Sequence, residues 1–353
     1  MTVQAEHART SVEMVEALPA DAINDARWDA FVGAIEGGSF CHLAAWREIM
    51  TDVLGHECLN LVAMDHNGAW NGVLPIVRVK SVLGHQLISM PFLNYGGPLG
   101  SAAAQRALVG HAVAEAGRSG AGAVELRSRM LIPVGARPEY RKVAVLLQLP
   151  DSPEVLWEKR FAPKLRSQIR RARKEGMQVR FGPGELESFY EVFSRNMRDL
   201  GTPVLSHRFF ERIRDRLGDT VVFAAVILRG RPVAAACAFL WKNEVEVTWA
   251  SSLREFNSRA PNMLLYHAVM QHAIANGIGV FNFGRCTAGG GTHRFKQQWG
   301  GQDCPLPWYR WCHGAAPPAA SERPILRFAS WAWKRIPLPL AARLGPALAR
   351  SLP

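Results

Sequence analysis

The stretch Thr248–Tyr309 decides the fold, and its sequence is TWASSLREFNSRAPNMLLYHAVMQHAIANGIGVFNFGRCTAGGGTHRFKQQWGGQDCPLPWY. Its pattern predicts a strand, a polar loop, a helix, a second strand and a glycine-rich loop with a basic end. The helix is predicted over Pro261–Asn276, because a proline near the first turn and Gly277 just past the end are favourable start and stop signals. The second strand is predicted over Val280–Gly284, which completes a strand–helix–strand unit.

A similar order of elements occurs in both halves of the chain, offset by about 160 residues. The first-half elements are strands at Cys58–Asp65 and Ala69–Lys80, a helix at Ala102–Arg118 and a strand at Ala123–Ser128. The second half precedes its helix with strands at Thr220–Leu228, Val233–Trp241 and Glu244–Ser251. We therefore predict two similar α/β domains at 23–150 and 151–312, with an N-terminal extension at 1–22 and a basic tail at 313–353. One large mixed α/β domain is the alternative that this pattern leaves open.

Composition is that of an ordinary globular protein, since 48% of the 353 residues are hydrophobic and 20% are charged. No apolar run approaches the roughly 18 residues that a membrane-spanning helix needs. The N-terminus carries acidic residues and has no apolar core of a secretory signal, so we expect a cytoplasmic protein. The six cysteines include no Cys-x-x-Cys pair, and no HExxH motif occurs, so we expect neither a metal site nor a disulfide framework.

The formal net charge of +12 predicts an anionic partner. A basic helix is predicted within Trp157–Gly176, where Leu165, Ile169 and Ala172 form a narrow apolar stripe. Its cations are Lys164, Arg166, Arg170, Arg171, Arg173 and Lys174. We favour an anion-facing role for this helix over a merely solvated face, and RNA binding is one form that such a role takes.

The C-terminal tail begins with a Pro/Ala linker at Gly314–Ala320. Arg323–Pro353 then contains six basic residues and no acid. A helical projection places Arg323, Arg327 and Lys334 on one face, Ile325, Ala329, Ala332 and Ile336 on the opposite face, and Trp331 and Trp333 between them. This pattern is typical of a helix in an anionic membrane interface, and packing of the helix on the protein body has nearly equal weight. Pro337 and Pro339 are expected to end this helix.

Three segments are candidates for the functional site. The predicted helix at Pro261 offers free backbone N–H groups to an anion, and Ser258 and Arg259 precede it. The segment Gly284–Trp299 combines three consecutive glycines with cations, but it fits neither a P-loop nor a dinucleotide-binding fingerprint. The segment Pro91–Gly97 places Asn94 and Tyr95 beside a Gly-Gly turn, either facing a cleft between the halves or only shaping the turn.

Motifs in these segments resemble the FemAB family, especially its subgroup associated with PEP-CTERM/exosortase exopolysaccharide systems. The resembling motifs are Asn257–Tyr266 (NSRAPNMLLY), Phe281–Arg285 (FNFGR), Gly291–Gly300 (GTHRFKQQWG), Pro91–Gly97 (PFLNYGG), Lys164–Arg166 (KLR) and Ile169–Ala172 (IRRA). The resemblance covers about residues 25–310, and the segment from Gly284 to Gly300 is its most specific part.

This resemblance implies a fold of two tandem GNAT-like domains with mixed sheets. It implies an acyl or aminoacyl transferase that uses aminoacyl-tRNA or acyl-CoA as co-substrate, with no permanently bound cofactor. The acceptor it implies is an amine on an anionic glycan or lipid-linked precursor. By the same analogy, Lys296 and Arg285 bind phosphate or stabilise charge in the transition state. The usual GNAT pyrophosphate signature is missing, since Arg259-Ala260-Pro261 stands in its place, and the helical-hairpin arm of some relatives has no obvious counterpart.

Each candidate residue has an expected role. An amine that arrives protonated needs a base, and the candidates are Glu246, His293 and Tyr266. A cation is needed to stabilise the tetrahedral oxyanion, and the candidates are Lys296 and Arg294. The predicted substrate-binding residues are Arg285, Arg294, Asn282, Asn94, Tyr95, Trp299, Ser258 and Arg259, and the predicted donor-binding residues are Asn262 and Met263. The alternative functions are acyl-CoA-dependent N-acylation of a lipid or small-molecule amine at the membrane surface, and RNA binding without catalysis.

Overall fold

The computed structural model describes residues 14–18, 24–81, 84–312 and 324–352. Most of the predicted extension at 1–22 and the linker at 313–323 lie outside the described residues. The described strands are β1 (Met14–Leu18), β2 (Glu57–Met64), β3 (Trp70–Ser81), β4 (Gly84–Ile88), β5 (Leu99–Gly100), β6 (Ala123–Arg127), β7 (Glu139–Gln148), β8 (Gln178–Phe181), β9 (Val221–Leu228), β10 (Arg231–Trp241), β11 (Glu244–Ser252), β12 (Val280–Thr287) and β13 (Gln302–Cys312).

The helices cover both faces of the sheet. They are α1 (Asp25–Ala34), α2 (Ala45–Glu48), α3 (Ala102–Ser119), α4 (Pro153–Val155), α5 (Pro163–Lys174), α6 (Leu186–Leu200), α7 (His207–Leu217), α8 (Pro261–Ala275), α9 (Gly291–Gln297), α10 (Pro324–Trp333) and α11 (Leu338–Ala349). The predicted strands and helices in both halves agree with these bounds to within a few residues. The expectation of a glycine-rich loop over Gly284–Trp299 was wrong, because β12 continues to Thr287 and α9 forms the segment's second half.

All described strands join one sheet in the order β1-β2-β3-β4-β6-β13-β7-β12-β11-β10-β9-β8, with β5 paired to β3. Each half contains three antiparallel strands followed by a helix and a parallel strand. The parallel pairs are β4 with β6, crossed by α3, and β11 with β12, crossed by α8. The duplicated pattern seen in the sequence is therefore a duplicated structural unit.

The two halves exchange their last strands. The strand β7 belongs by sequence to the first half, yet it pairs with β12 of the second half. The strand β13 ends the second half, yet it pairs with β6 of the first half and with β7. Separation of the halves would break these ladders, so the predicted division at residue 150 is a boundary along the chain rather than a gap in the sheet.

Opposite faces of the sheet carry different helices. Helices α3, α5 and α8 pack on one face, where for example Leu108 and Leu265 are buried. Helices α6 and α7 pack on the other face over β9 and β10. On that second face, Phe40 of the first half stacks on Phe239 of β10, with ring centroids 4.2 Å apart and planes 4° apart. The halves thus share one hydrophobic core in addition to the shared sheet.

We expect Phe40→Ala to reduce the free energy of unfolding by about 3–5 kcal/mol, because both stacked rings are fully buried and a cavity would remain. Urea unfolding followed by fluorescence measures this loss, and the variant should still unfold in a single transition. The matched control is Phe328→Ala at an exposed phenylalanine, which should change stability by less than about 0.5 kcal/mol. Equal stability of the two variants would contradict a core shared between the halves.

Candidate functional site

A cleft of about 540 Å³ lies on the second face of the sheet, where the two halves meet. The first half contributes Phe40, Tyr95 and Arg129 to its lining, and the second half contributes Glu244 and Glu246 from β11. The cleft therefore combines apolar walls with a small set of convergent charged and polar groups, which is the usual composition of a small-molecule site.

The Glu246 carboxylate is buried at the base of this cleft, with 1% of the residue exposed. It accepts hydrogen bonds from the Tyr95 hydroxyl, from Asn94 Nδ2 at 2.5 Å, from Thr248 Oγ1 at 2.9 Å and from Asn282 Nδ2 at 3.1 Å. Burial raises the pKa of Glu246 above its ordinary value, and the donors from Tyr95, Thr248 and Asn94 oppose that rise. The four predicted residues Asn94, Tyr95, Glu246 and Asn282 thus meet in one network.

A second carboxylate, Glu244, lies beside this network. Arg129 of the first half binds it in a bidentate manner, with Nη1 3.0 Å from Oε1 and Nη2 2.6 Å from Oε2. Asn282 Nδ2 also donates to Glu244 Oε1 at 2.9 Å, so Asn282 joins the two carboxylates. Neither Glu244 nor Arg129 was predicted. The alternation along Glu244-Val245-Glu246 was the available signal, because it places both carboxylates on one face of a strand.

Gly284 connects this network to Lys296. Its backbone N–H donates to Asn282 Oδ1 at 2.8 Å, and its φ of +70° is a conformation that glycine adopts readily. A Cβ atom at this position would lie 2.6 Å from the Val247 carbonyl oxygen and 3.3 Å from Asn94 Nδ2. Any side chain here would therefore push β12 away from the Glu246 site.

Lys296 of α9 is buried and reaches β12 from the α8 side of the sheet. Its Nζ donates to the carbonyl oxygens of Gly284 at 2.6 Å and Arg285 at 3.0 Å. Burial lowers the pKa of Lys296 to about 8, while the nearby Cys286 and Glu246 oppose this shift. The ammonium group remains largely protonated at neutral pH and lies within electrostatic range of Glu246.

Paired hydrogen bonding between β11 and β12 spans Glu244–Glu246 and Val280–Asn282 in the described sheet. Beyond this point β11 has a register shift opposite Cys237 and Ala238, and β12 has one between Asn282 and Arg285. The two parallel strands therefore separate next to Glu246 and Gly284.

The start of α8 holds another group of predicted residues. Arg259 lies 3.5 Å from Glu175, and the Ser258 carbonyl accepts from Arg171 of the basic helix α5 at 3.1 Å. Asn262 Nδ2 donates to Ser252 Oγ at 2.9 Å, whereas Asn262 Oδ1 is buried without a hydrogen-bond partner among the described residues. Met263 is buried behind them. The basic helix thus lies against the N-terminus that was predicted to bind an anion.

The remaining predicted residues lie apart from the cleft. Tyr266 and Trp299 are packed into the aromatic core between α8, β12 and α9. His293 Nδ1 accepts from the Gly289 N–H at 3.0 Å while its Nε2 lies 2.9 Å from Asp303, and Arg294 is exposed. These contacts give His293 a role in holding the turn before α9. The predicted roles of Tyr266, Trp299, His293 and Arg294 in catalysis and binding stay predictions.

Arg285 lies on β12, and its guanidinium carbon is 5.2 Å from the ring centroid of Trp308. Burial and the neighbouring charge of Arg127 lower the pKa of Arg285 to about 9. Cys286, the next residue on β12, is buried, and burial raises the pKa of its thiol. An unactivated thiol of this kind is a poor nucleophile.

Within the described ranges, no cluster of three or more His, Cys, Asp or Glu side chains is suited to hold a metal ion. None of the described helices is long and apolar enough to cross a bilayer.

Comparison with known proteins identifies the fold. Residues 159–297 match the acetyltransferase (GNAT) domain family. The crystal structure of FemX superposes with a TM-score of 0.63 at 15% identity, covering 82% of this chain and 96% of FemX. The C-terminal domain of a putative lysylphosphatidylglycerol synthetase from Agrobacterium fabrum gives 0.58 at 15% identity, covering 90% and 95%.

A tandem GNAT protein from the clavulanic acid biosynthesis pathway gives a TM-score of 0.55 at 10% identity, covering 86% of this chain and 100% of that protein. No curated protein sequence matches the chain. At these identities the similar structures establish the fold alone. The chain therefore has the predicted fold of two GNAT-like domains in tandem.

We expect Tyr95→Phe to lower the free energy of unfolding by about 1.5–3 kcal/mol at pH 8, since the Glu246 carboxylate loses a donor. The loss should be smaller at pH 5. Removing a donor raises the pKa of Glu246 in the folded state further. A group whose pKa is raised by folding makes the folded protein less stable as the pH rises through that pKa. Urea unfolding at both pH values measures this, with Tyr140→Phe at an exposed tyrosine as control. An equal loss at pH 5 and pH 8 would show that Glu246 does not change its protonation state between these pH values.

Proposed function

We propose that this protein transfers an acyl or aminoacyl group to an amine, with reaction at the gap between β11 and β12. The observation that carries the proposal is the buried Glu246 carboxylate, which lies beside both the inter-half cleft and the separating strands. A match of the second half to the GNAT acetyltransferase domain supports the same class of reaction.

In the proposed reaction, the acceptor amine enters from the cleft and attacks the carbonyl carbon of the donor. Glu246 accepts the proton that the amine loses, because its raised pKa makes it a stronger base than an ordinary glutamate. The C–N bond forms, a tetrahedral oxyanion results, and its collapse breaks the bond to the thiolate or ribose oxygen of the donor. Asn94, Tyr95 and Asn282 hold the Glu246 carboxylate in position.

The oxyanion needs donors that are already in place. The Lys296 ammonium group, whose Nζ lies 2.6 Å from the Gly284 carbonyl oxygen, meets this need. With a pKa of about 8, Lys296 is also able to supply a proton to the leaving group near neutral pH. His293 and Tyr266 remain weaker candidates for the base, since one is bound to Asp303 and the other lies within the aromatic core.

The donor in this proposal carries phosphate and binds at the N-terminus of α8. The positive end of the α8 helix dipole attracts an anion, and Arg171 and Arg259 add positive charge there. Acyl-CoA and aminoacyl-tRNA both meet this requirement. The basic helix α5 beside the same position favours aminoacyl-tRNA. Its cations Arg166, Arg170 and Lys174 form a longer basic surface for phosphate groups than a CoA needs.

The acceptor in this proposal is an amine of a cell-envelope or exopolysaccharide precursor. The motif resemblance to FemAB proteins supports it, and so does the fold shared with FemX. Filter binding of tRNA over a salt series separates transfer from RNA binding without catalysis. Tight salt-dependent binding with no transfer from any donor would favour the RNA-binding alternative.

We expect Glu246→Gln and Lys296→Met each to reduce turnover by about 100-fold to 1000-fold, because one removes the base and the other a charge at the oxyanion. Product formation is measured by mass spectrometry with acyl-CoA and aminoacyl-tRNA donors in parallel. The matched controls are Glu158→Gln and Lys80→Met, which change exposed residues of the same types outside the proposed donor and acceptor sites. Wild-type turnover in Lys296→Met would remove Lys296 from the mechanism, and unchanged thermal unfolding of each variant excludes misfolding as the cause of a loss.

We also propose that helices α10 and α11 bind an anionic membrane surface. One side of α11 is buried at Ala341, Gly345 and Ala349. Ala329 of the predicted apolar face is exposed, while Trp333 is buried. The side chains of Arg327 and Ile325, and Arg323 itself, lie outside the described residues.

The outer side of these helices is apolar and unusually exposed. Its members are Phe328, Trp331, Leu340, Leu344, Leu348 and Leu352, each of them 44% exposed or more. The leucines recur every fourth residue, so they form one continuous stripe. Lys334, Arg335, Arg343 and Arg350 are exposed around this stripe, and Arg323–Pro353 contains no acid. An apolar stripe bordered by cations is complementary to an anionic bilayer.

We expect the double substitution Leu344→Glu and Leu348→Glu to weaken binding to phosphatidylglycerol vesicles by at least about ten-fold, since it removes apolar area and adds negative charge. Vesicle co-sedimentation measures this binding. The control is Leu131→Glu, an exposed leucine remote from the tail, which should bind as the wild type does. Equal binding of the double variant would discard the interfacial helices, as would equal binding of the wild type to neutral vesicles.

A further inference from the structure

Four neighbouring strands at the centre of the sheet carry a row of cations that the mechanism above does not use. These cations are Arg127 on β6, Lys142 on β7 and Arg285 on β12, and Trp308 on β13 lies between Arg127 and the other two. Trp308 is paired directly with Arg127, and Lys142 is paired directly with Thr287 next to Cys286. Both halves therefore contribute to this row through their exchanged strands.

The two arginines lie against the same indole ring. The guanidinium carbon of Arg127 is 4.8 Å from the Trp308 centroid, and that of Arg285 is 5.2 Å from it. Arg127 is 3% exposed, and its Nε and Nη2 bind Glu125 at 2.9 Å and 2.8 Å. Glu125 also lies 3.5 Å from Arg310. One carboxylate is thus shared by two arginines and leaves the row with an excess of positive charge.

Three buried N–H groups at this position have no acceptor within the described parts of the chain. They are Arg127 Nη1, Arg285 Nη1 and Trp308 Nε1. Lys142 Nζ has only a neutral partner in the same neighbourhood, Thr287 Oγ1 at 2.9 Å. Buried donors are nearly always paired in folded proteins, and like charges close together repel. A ligand with several negatively charged oxygens would satisfy both requirements.

The row lies on the same face of the sheet as the cleft. Arg285 pairs with Ala144 and Asn282 pairs with Leu146, and residues two apart on a strand point to one face. Leu146 and Cys304 line the cleft, and Cys304 pairs with Ala144. The cations therefore lie on the cleft face of the sheet, opposite to α8, along strands that also carry cleft-lining residues. An anion bound here belongs to a molecule that enters from the cleft side.

We propose that Arg127, Arg285 and the Trp308 indole N–H form a binding site for a phosphate or pyrophosphate group of the acceptor. This assignment rests on the proposed function for its link to the acceptor. Guanidinium groups suit the task because their N–H groups match phosphate oxygens in bidentate geometry. The site fixes the acceptor at one end, so that its amine reaches Glu246 at the other end.

Isothermal titration of the full chain with pyrophosphate tests the site without any transfer assay. We expect saturable binding to the wild type, at least about ten-fold weaker binding to Arg285→Gln, and about three-fold to ten-fold weaker binding to Trp308→Phe. Trp308→Phe keeps an aromatic ring and removes the N–H donor. The matched control is Trp311→Phe on the opposite face of β13, where the indole stacks on Tyr309, and it should bind as the wild type does.

Two results would overturn the site. The first is absence of saturable pyrophosphate binding to the wild type. The second is wild-type affinity in both Arg285→Gln and Trp308→Phe, with thermal unfolding showing that each variant is folded. Competition then tests the assignment to the acceptor. Displacement of pyrophosphate by a nucleotide-diphosphate sugar supports it, and displacement by acyl-CoA contradicts it. Failure of every transfer assay would reject the proposed function and leave the titration result standing.

Discussion

A buried carboxylate whose hydrogen-bond donors come from both halves of the chain constrains the whole centre of this protein. Glu246 is separated by about 150 residues from Asn94 and Tyr95, yet both donate to it. Burying an ionised carboxylate without such donors would cost several kcal/mol, so the halves must dock in one register for the site to be tolerated. The same contacts that make the site chemically useful therefore also fix the relative position of the two GNAT-like units.

The exchange of β7 and β13 explains why this docking is rigid. A strand that pairs across the boundary cannot slip without moving its side chains to the other face or breaking its ladder. Because β7 is held between β13 and β12, the cleft residue Leu146 and the cation Lys142 keep their spacing. A hinge between separate domains would not hold a base and a substrate anion at a fixed distance, whereas one continuous sheet does.

Local sequence signals were sufficient for the repeated unit but not for the centre. Apolar runs bounded by turn residues located β9 to β12, and a proline and a glycine bracketed α8, since these signals act over a few residues. The helix α9 was missed because it starts at Gly291, a poor helix former. Arg129 was missed because its partner Glu244 lies 115 residues away, and no periodic pattern records such a pairing. Asn94 and Tyr95 were found as polar residues at a glycine turn, without any indication of what they would bind.

Gly284 shows how the proposed transferase site would fit this position on the sheet. Its backbone lies against the Val247 carbonyl on one side, binds Asn282 through its N–H, and accepts from Lys296 through its carbonyl. The base approaches from the cleft face and the ammonium group from the α8 face, so opposite charges reach the gap without neutralising each other in a direct ion pair. A donor bound at α8 and an acceptor bound in the cleft would then meet beside a glycine, where the absence of a side chain lets β12 lie close to Val247 and Asn94.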